Sequence, residues 1–328
     1  MTAPVSRSVV ATQWHARCRR CRRGEWDGPR RAGYALAVQC VALGSLLLAC
    51  ACHAGPGAAA PAAAAGPTLA ARPAADAALR DGPPLATPGE HMQYKLALQG
   101  VELAAYDLDI GDITKLGGKQ AIVVQGHAKV RGFAALLANI DDHFTSWVDV
   151  TNGRPLRFQT DEYAAGSKTD IEHAVVDLAA RTDNTVPVSY HVNTAPALPE
   201  PQQVSQPVVW DYNAFLLALR AWEGAPGSHL ALEVFRSRFL WHVDVTIHGR
   251  EKRVTELGEL PALRIDGRTY KLDRKGARER GSAERRFSMW ISDDDGRVPL
   301  EIKATTDYGD LRMQIVDYQA GNGQRLRP

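Results

Sequence analysis

The residues best suited to chemistry sit in one run, FLWHVDVTIHG, residues 239–249. His242, Asp244 and His248 fall at even spacings, and Trp241, Val243, Val245 and Ile247 alternate with them. Successive side chains of a strand point to opposite faces, so a strand here shows two imidazoles and a carboxylate on one face and an apolar row on the other. That set suits metal binding or acid–base chemistry. No third partner is identifiable elsewhere, and a solvated polar face explains the pattern as well. Asp293–Asp295 lacks the alternation and distal Glu of an EF-hand loop and reads as turn chemistry. Asp141-Asp142 and Asp161-Glu162 are adjacent pairs whose members point to opposite faces of a strand, so neither makes a carboxylate dyad, and both read as surface groups. No nucleophile elbow, phosphate loop or dinucleotide fingerprint is present. No metal site or cofactor is expected, and His242, Asp244 and His248 are the residual catalytic candidates.

The elements that would position such residues begin well inside the chain. All five cysteines, Cys18, Cys21, Cys40, Cys50 and Cys52, precede the strand-patterned region, which therefore has no thiol nucleophile and no disulfide framework. Residues 1–52 carry eight arginines against Glu25 and Asp27, and the remaining chain has 31 basic and 35 acidic residues, a balance that does not suit bulk nucleic-acid binding. A basic stretch, an apolar stretch (Ala35–Ala49) and then small residues is the order of a secretory signal. LLLAC, residues 46–50, resembles a lipobox with Cys50 as the lipidated residue; simple cleavage after Ala51 and a retained anchor are the alternatives. Residues 53–88, rich in Ala, Pro and Gly, read as a disordered linker with a reach of about 30 Å. A single domain is expected over residues 89–320, followed by a flexible tail at 321–328.

Within that domain the pattern has period two. Met92–Gly111 reads as two strands joined at Gln99-Gly100, and further strands follow. Gly132–Ile140 is a short apolar run with room for one or two helical turns. Residues 211–223 change period: Asp211 is the N-cap, Phe215, Ala218, Leu219 and Trp222 share a face, and Gly224 is the stop. Two hairpins match. Phe144, Trp147, Gly153 and Arg154 correspond to Phe287, Trp290, Gly296 and Arg297, with Asn152-Gly153 and Asp295-Gly296 as corners. The expected fold is all-β: a mostly antiparallel, strongly curved sheet or half-barrel of two similar halves, with the one amphipathic helix against its concave side. Phe215, Ala218, Leu219 and Trp222, with Trp147 and Trp290, are the candidate lining of a ligand groove. Nine cations between Arg264 and Arg286 form a solvated hairpin or a patch for anionic lipid headgroups or lipopolysaccharide.

Three stretches together resemble a bacterial envelope family, the domain of unknown function numbered 3108. They are GEHMQYKL (89–96), the helix pattern of Asp211, Leu216, Leu219 and Arg220, and W-x-S-D-D-x-x-R-x-P (290–299). The resemblance implies an exported Gram-negative β-protein and carries no catalytic residues with it. The resulting expectation is a non-catalytic periplasmic protein, lipid-anchored to the outer membrane through Cys50, that binds a hydrophobic ligand or an anionic envelope polymer and no nucleic acid. The alternative function is an envelope hydrolase or metal-dependent enzyme that uses a His/carboxylate cluster, and the alternative location, separately, is soluble periplasmic or secreted.

Overall fold

The computed structural model describes residues 79–327 apart from 132–139, 165, 166, 168 and 307. Strands β1 (His91–Leu98), β2 (Val101–Leu116), β3 (Lys119–Val130), β4 (Asp141–Asp149), β5 (Pro155–Tyr163) and β6 (Ile171–Val176) form a meander. The connection holds β7 (Thr185–Val186), β8 (Val188–Val192), β9 (Leu198–Pro199), β10 (Gln202–Gln203), β11 (Val209–Asp211) and the helix α1 (Tyr212–Arg220). A second meander then runs through β12 (His229–Arg236), β13 (Phe239–Thr255), β14 (Gly258–Lys271), β15 (Arg285–Ser292), β16 (Pro299–Thr306) and β17 (Gly309–Gln319). Pairing of β17 with β1 joins the meanders into one sheet of 15 strands, in the order β11 to β17, then β1 to β6, β8 and β9. Every pairing in it is antiparallel except β11 with β12.

The matched hairpins belong to matched halves. Gly126 faces Phe144 across β3 and β4, and Gly267 faces Phe287 across β14 and β15. The register shifts directly after Trp147 in one half and directly after Trp290 in the other. The long second strands shift too, between Ile110 and Ile113 and between Ile247 and Gly249. Bulges at equivalent points bend the two meanders alike. A Cβ on Gly267 would enter the Phe287 ring, so this glycine lets the ring lie on the backbone.

The backbone ladder is not closed. Its two ends are tied by side chains: Arg238 reaches Glu172 (2.8 Å) and Glu200 (2.5 Å), Arg236 reaches Glu162 (3.2 Å), and Ser237 Oγ lies 3.3 Å from Thr160 Oγ1. Helix α1 fills the space inside the curve. The Asp211 carboxylate caps it, accepting from the Ala214 amide at 2.9 Å. Eight of its nine residues are buried, so it is enclosed all round rather than on one face. Ala218, expected at the sheet contact, is the exception and is half-buried. No helix among the described residues is long and apolar enough to cross a membrane.

Three details depart from the sequence reading. Helix α1 stops at Arg220, ahead of Gly224, and the Arg297 side chain satisfies the carbonyl of that last residue. The second hairpin corner puts its positive φ (49°) on Arg297 rather than on Gly296, whereas the first puts it on Gly153. Asp294 stabilises that corner by accepting from Ser292 Oγ (2.7 Å) and the Arg297 amide (3.0 Å). Residues on either side of 89–320 also pack against one another. Ala86 is buried, Leu326 N donates to Ala86 O (3.0 Å), and Gly323 N donates to Pro88 O (3.0 Å). Low-complexity composition hid this pairing of the last linker residues with the tail. The run 132–139 and residues 1–78, with Cys50, lie outside the described residues.

Candidate functional site

The three stretches that carry the family resemblance meet at one place, the C-terminal end of α1. Arg220 Nη1 and Nη2 donate to the two carboxylate oxygens of Glu90 (3.1 and 2.6 Å). Its Nη2 and Nε also donate to the carbonyls of Gly296 (2.9 Å) and Arg297 (3.1 Å). Arg297 returns the contact, with Nε to Arg220 O (3.0 Å) and Nη2 to Trp222 O (2.9 Å). Tyr318 Oη adds a bond to Glu90 (3.2 Å). The Glu90 and Arg220 side chains are 2 % and 3 % exposed. A buried fork-to-fork pair with its remaining donors on carbonyls fixes geometry and leaves no open position for a substrate. The left-handed backbone of Arg297 is unfavourable for a side chain of its size and is held by this reciprocal clasp.

The N-terminal end of α1 is also polar. Ser146 Oγ donates to Asp211 Oδ1 (2.7 Å), and Asn213 Nδ2 donates to the carbonyls of Val124 (3.3 Å) and Phe144 (3.2 Å). Burial pushes the Asp211 carboxyl up to about 7. Nearby, Asp142 and Glu162 are buried on the inner side, one residue beyond the facing pair His143 and Asp161 of β4 and β5, with Arg236 beside Glu162. Burial, with Glu162 adding to it, pushes Asp142 up to about 7. Strand parity does split the adjacent pairs 141–142 and 161–162. It sends Asp142 and Glu162 inward together, where a surface role was expected. Only the register could show this, because the pair forms between strands and not within one.

The sequence-derived candidates are distributed as follows. His242 Nε2 lies 3.3 Å from Asp244 Oδ1, and His229 Nε2 approaches the same oxygen at 3.4 Å. His248 instead faces Asp266 at 3.2 Å. The His242 ring stacks on Tyr270 at 4.8 Å. Phe215, Leu219 and Trp222 are buried in the core. Trp147 and Trp290 lie on the other face of the sheet, so the six groove candidates do not line a common space. The Trp290 ring packs under the Arg253 guanidinium at 4.0 Å, and its indole N–H donates to Glu251. Between α1 and the sheet, the cavity bordered by Phe215, Leu216, Met289 and Ile302 measures about 20 Å³.

The larger concavity is a groove of about 850 Å³ over the outer face of the second half. Arg264, Arg268, Arg286, Lys303 and Arg312 line it against three aspartates. Four of these five charges are committed: Arg264 pairs with Asp266 (2.9 Å), Arg268 with Asp244 (3.5 Å), and Lys303 (3.7 Å) and Arg312 (2.7 Å) with Glu301. Arg286 is exposed.

Three solved bacterial structures show a low overall similarity to the chain. A β-barrel-like protein of the domain of unknown function DUF1849 from Brucella abortus is 10 % identical, with 74 % of this chain and 99 % of that one covered at a TM-score of 0.47. A candidate exported protein with a YmcC-like fold from Bacteroides fragilis is 6 % identical, with 73 % and 99 % covered and a TM-score of 0.33. A candidate lipoprotein from Parabacteroides distasonis is 7 % identical, with the same coverage and a TM-score of 0.34. No curated protein matches the chain significantly. The sequence pattern of the proteins of unknown function DUF3108 matches residues 92–316, so the chain belongs to that family.

Proposed function

We propose that the protein is a non-catalytic periplasmic module, held to the outer membrane by lipid on Cys50, which uses its outer groove to bind a phosphate-bearing envelope component. The observation that carries this reading is the basic groove of about 850 Å³, inside the range of ligand sites. The inner cavity of about 20 Å³ holds no more than about one water and gives an acyl chain no room. The exported and lipoprotein descriptions of two structural neighbours accord with the lipobox-like residues 46–50.

The test is calorimetric titration of the full chain in detergent. One arm uses dihexanoyl phosphatidylglycerol and the other a phosphorylated lipopolysaccharide core oligosaccharide, with dihexanoyl phosphatidylcholine as the neutral control. Binding of at least one anion, weakened on the order of tenfold or more in Arg268→Glu/Arg286→Glu, is expected. The stronger arm identifies the source of the phosphate. Heat from neither anion, or unchanged affinity in the variant, overturns the reading.

A further inference from the structure

The outer face of the first half carries an unbroken cross-strand row of imidazoles and carboxylates. His127 faces His143, His143 faces Asp161, Asp161 faces His173, and His173 faces His191, across β3, β4, β5, β6 and β8. Two residues before His143, on the same face, Asp141 joins the end of this row. His127 Nε2 lies 2.5 Å and His143 Nε2 3.5 Å from the same oxygen, Asp141 Oδ1. One ligand atom from each of the three lies within 4.8 Å of the others. The two rings are stacked at 4.2 Å with an interplanar angle of 8°.

We propose that His127, Asp141 and His143 form a binding site for a divalent transition-metal ion of the zinc class. Two imidazole nitrogens and a carboxylate oxygen make the ligand set of an open zinc site, which leaves a fourth position for water or an external ligand. Bonds of about 2.0–2.2 Å place tetrahedral ligand atoms roughly 3.3–3.5 Å apart. His143 and Asp141 already have that spacing. His127 and Asp141 must open by about 0.8 Å as the ion replaces the proton between them, and the rings must turn from their parallel stack to aim at one point. The side chains of His127, Asp141 and His143 are 28 %, 40 % and 54 % exposed, so an ion reaches them without unfolding. Lys129 approaches the other oxygen of Asp141 at 3.7 Å and leaves Oδ1 to the imidazoles.

The second half supplies an internal control. The residue after the glycine that faces the phenylalanine is His127 in β3 and Arg268 in β14, and the residue before the phenylalanine is His143 in β4 and Arg286 in β15. Guanidinium groups fill the same backbone positions and cannot ligate a metal.

The experiment uses the full chain with its five cysteines alkylated, so that thiolates do not contribute. Zinc is titrated by calorimetry and cobalt(II) by visible absorption. One zinc equivalent is expected, with cobalt bands of nitrogen and oxygen ligation. In His127→Ala/His143→Ala, zinc affinity falls by more than about 100-fold, beyond the loss caused by removing an outer partner of a ligand. His127→Arg/His143→Arg copies the other half of the fold and keeps the circular dichroism of the native sheet while losing zinc. His242→Ala/His248→Ala keeps the site. Absence of zinc uptake by the native chain, or undiminished uptake by either variant at 127 and 143, overturns the assignment.

Discussion

Where β3 and β4 present His127 and His143 to solvent, β14 and β15 present Arg268 and Arg286 from the same places in the same backbone. One position further in, Asp142 of the first half corresponds to Arg285 of the second, and the residue facing the tryptophan across the hairpin is Arg157 in one and Glu301 in the other. The halves therefore share what bends and seats the sheet, namely glycine facing phenylalanine and a bulge after tryptophan. They differ in side-chain type at the outward positions compared, His127/Arg268, His143/Arg286 and Arg157/Glu301, and at the inward pair Asp142/Arg285. A strand needs its inner face to fit the helix and its neighbours. Its outer face is under no such demand, so one half became rich in histidine and the other in arginine. The halves depend on each other at α1, whose C-terminal clasp takes Glu90 from the first and Gly296 and Arg297 from the second.

Breaking that dependence gives the largest expected effect. Arg220→Ala leaves a buried Glu90 carboxylate and two carbonyls without their donor, and should cost about 3–5 kcal/mol in urea unfolding. Arg253→Ala removes a cation from the outer face of the second half only, and should cost clearly less. Equal losses would show that α1 does not couple the halves.

The halves also respond differently to acid. Asp142 and Asp211 have carboxyls raised to about 7 by burial, above their ordinary value near 4. The folded state thus holds protons that the unfolded state has released, and stability should fall as pH rises from about 4 to about 7. Asp142→Asn should remove a few kcal/mol of that fall, read as a flatter pH dependence of Tm. In the second half burial works against ionisation of Glu301, but hydrogen bonds from Arg253 and Arg312 hold its carboxyl below the usual range. That group contributes stability above its unfolded value, and the contribution is lost as pH falls further. A wild type with no decline between pH 4 and pH 7 would refute the assignment of the raised groups.

Gly126→Ala and Gly267→Ala test the shared frame. Each new methyl collides with a side chain, Tyr106 in one half and Phe287 in the other, and each should cost about 1–3 kcal/mol. A neutral result in one half only would mean that close packing over the glycine is required in the other half alone. The smallest effect is expected for His127→Arg/His143→Arg, which should change stability by no more than about 0.5 kcal/mol because these are outward positions. A large loss would mean that the histidine row contributes to holding the first half together.

Much of the frame was legible in the residues. Alternation marked most strands, Gln99-Gly100 marked the first hairpin with φ values of 50° and 82°, and Asp211 marked the helix start. These are local signals, set by the conformations that one or two residues tolerate. The paired FxxW hairpins announced the two halves because a bulge and its flanking aromatics recur with the strand that needs them. The site was much less legible. His242, Asp244 and His248 drew attention because they lie on one strand, whereas His127, Asp141 and His143 come together across two.

By itself, then, the sequence determined the curved antiparallel sheet, the helix cap, the family and the orientation of alternate side chains, since each depends on neighbours a few positions apart. Tertiary structure alone decided that Arg220 meets Glu90 over 130 residues of sequence and Arg297 over 77. It also decided that Asp142 meets Glu162 rather than standing with Asp141, and that α1 fills the concavity instead of roofing a cavity. Such contacts depend on strand register and on the volume left between packed elements. Both are properties of the whole chain that no single segment contains.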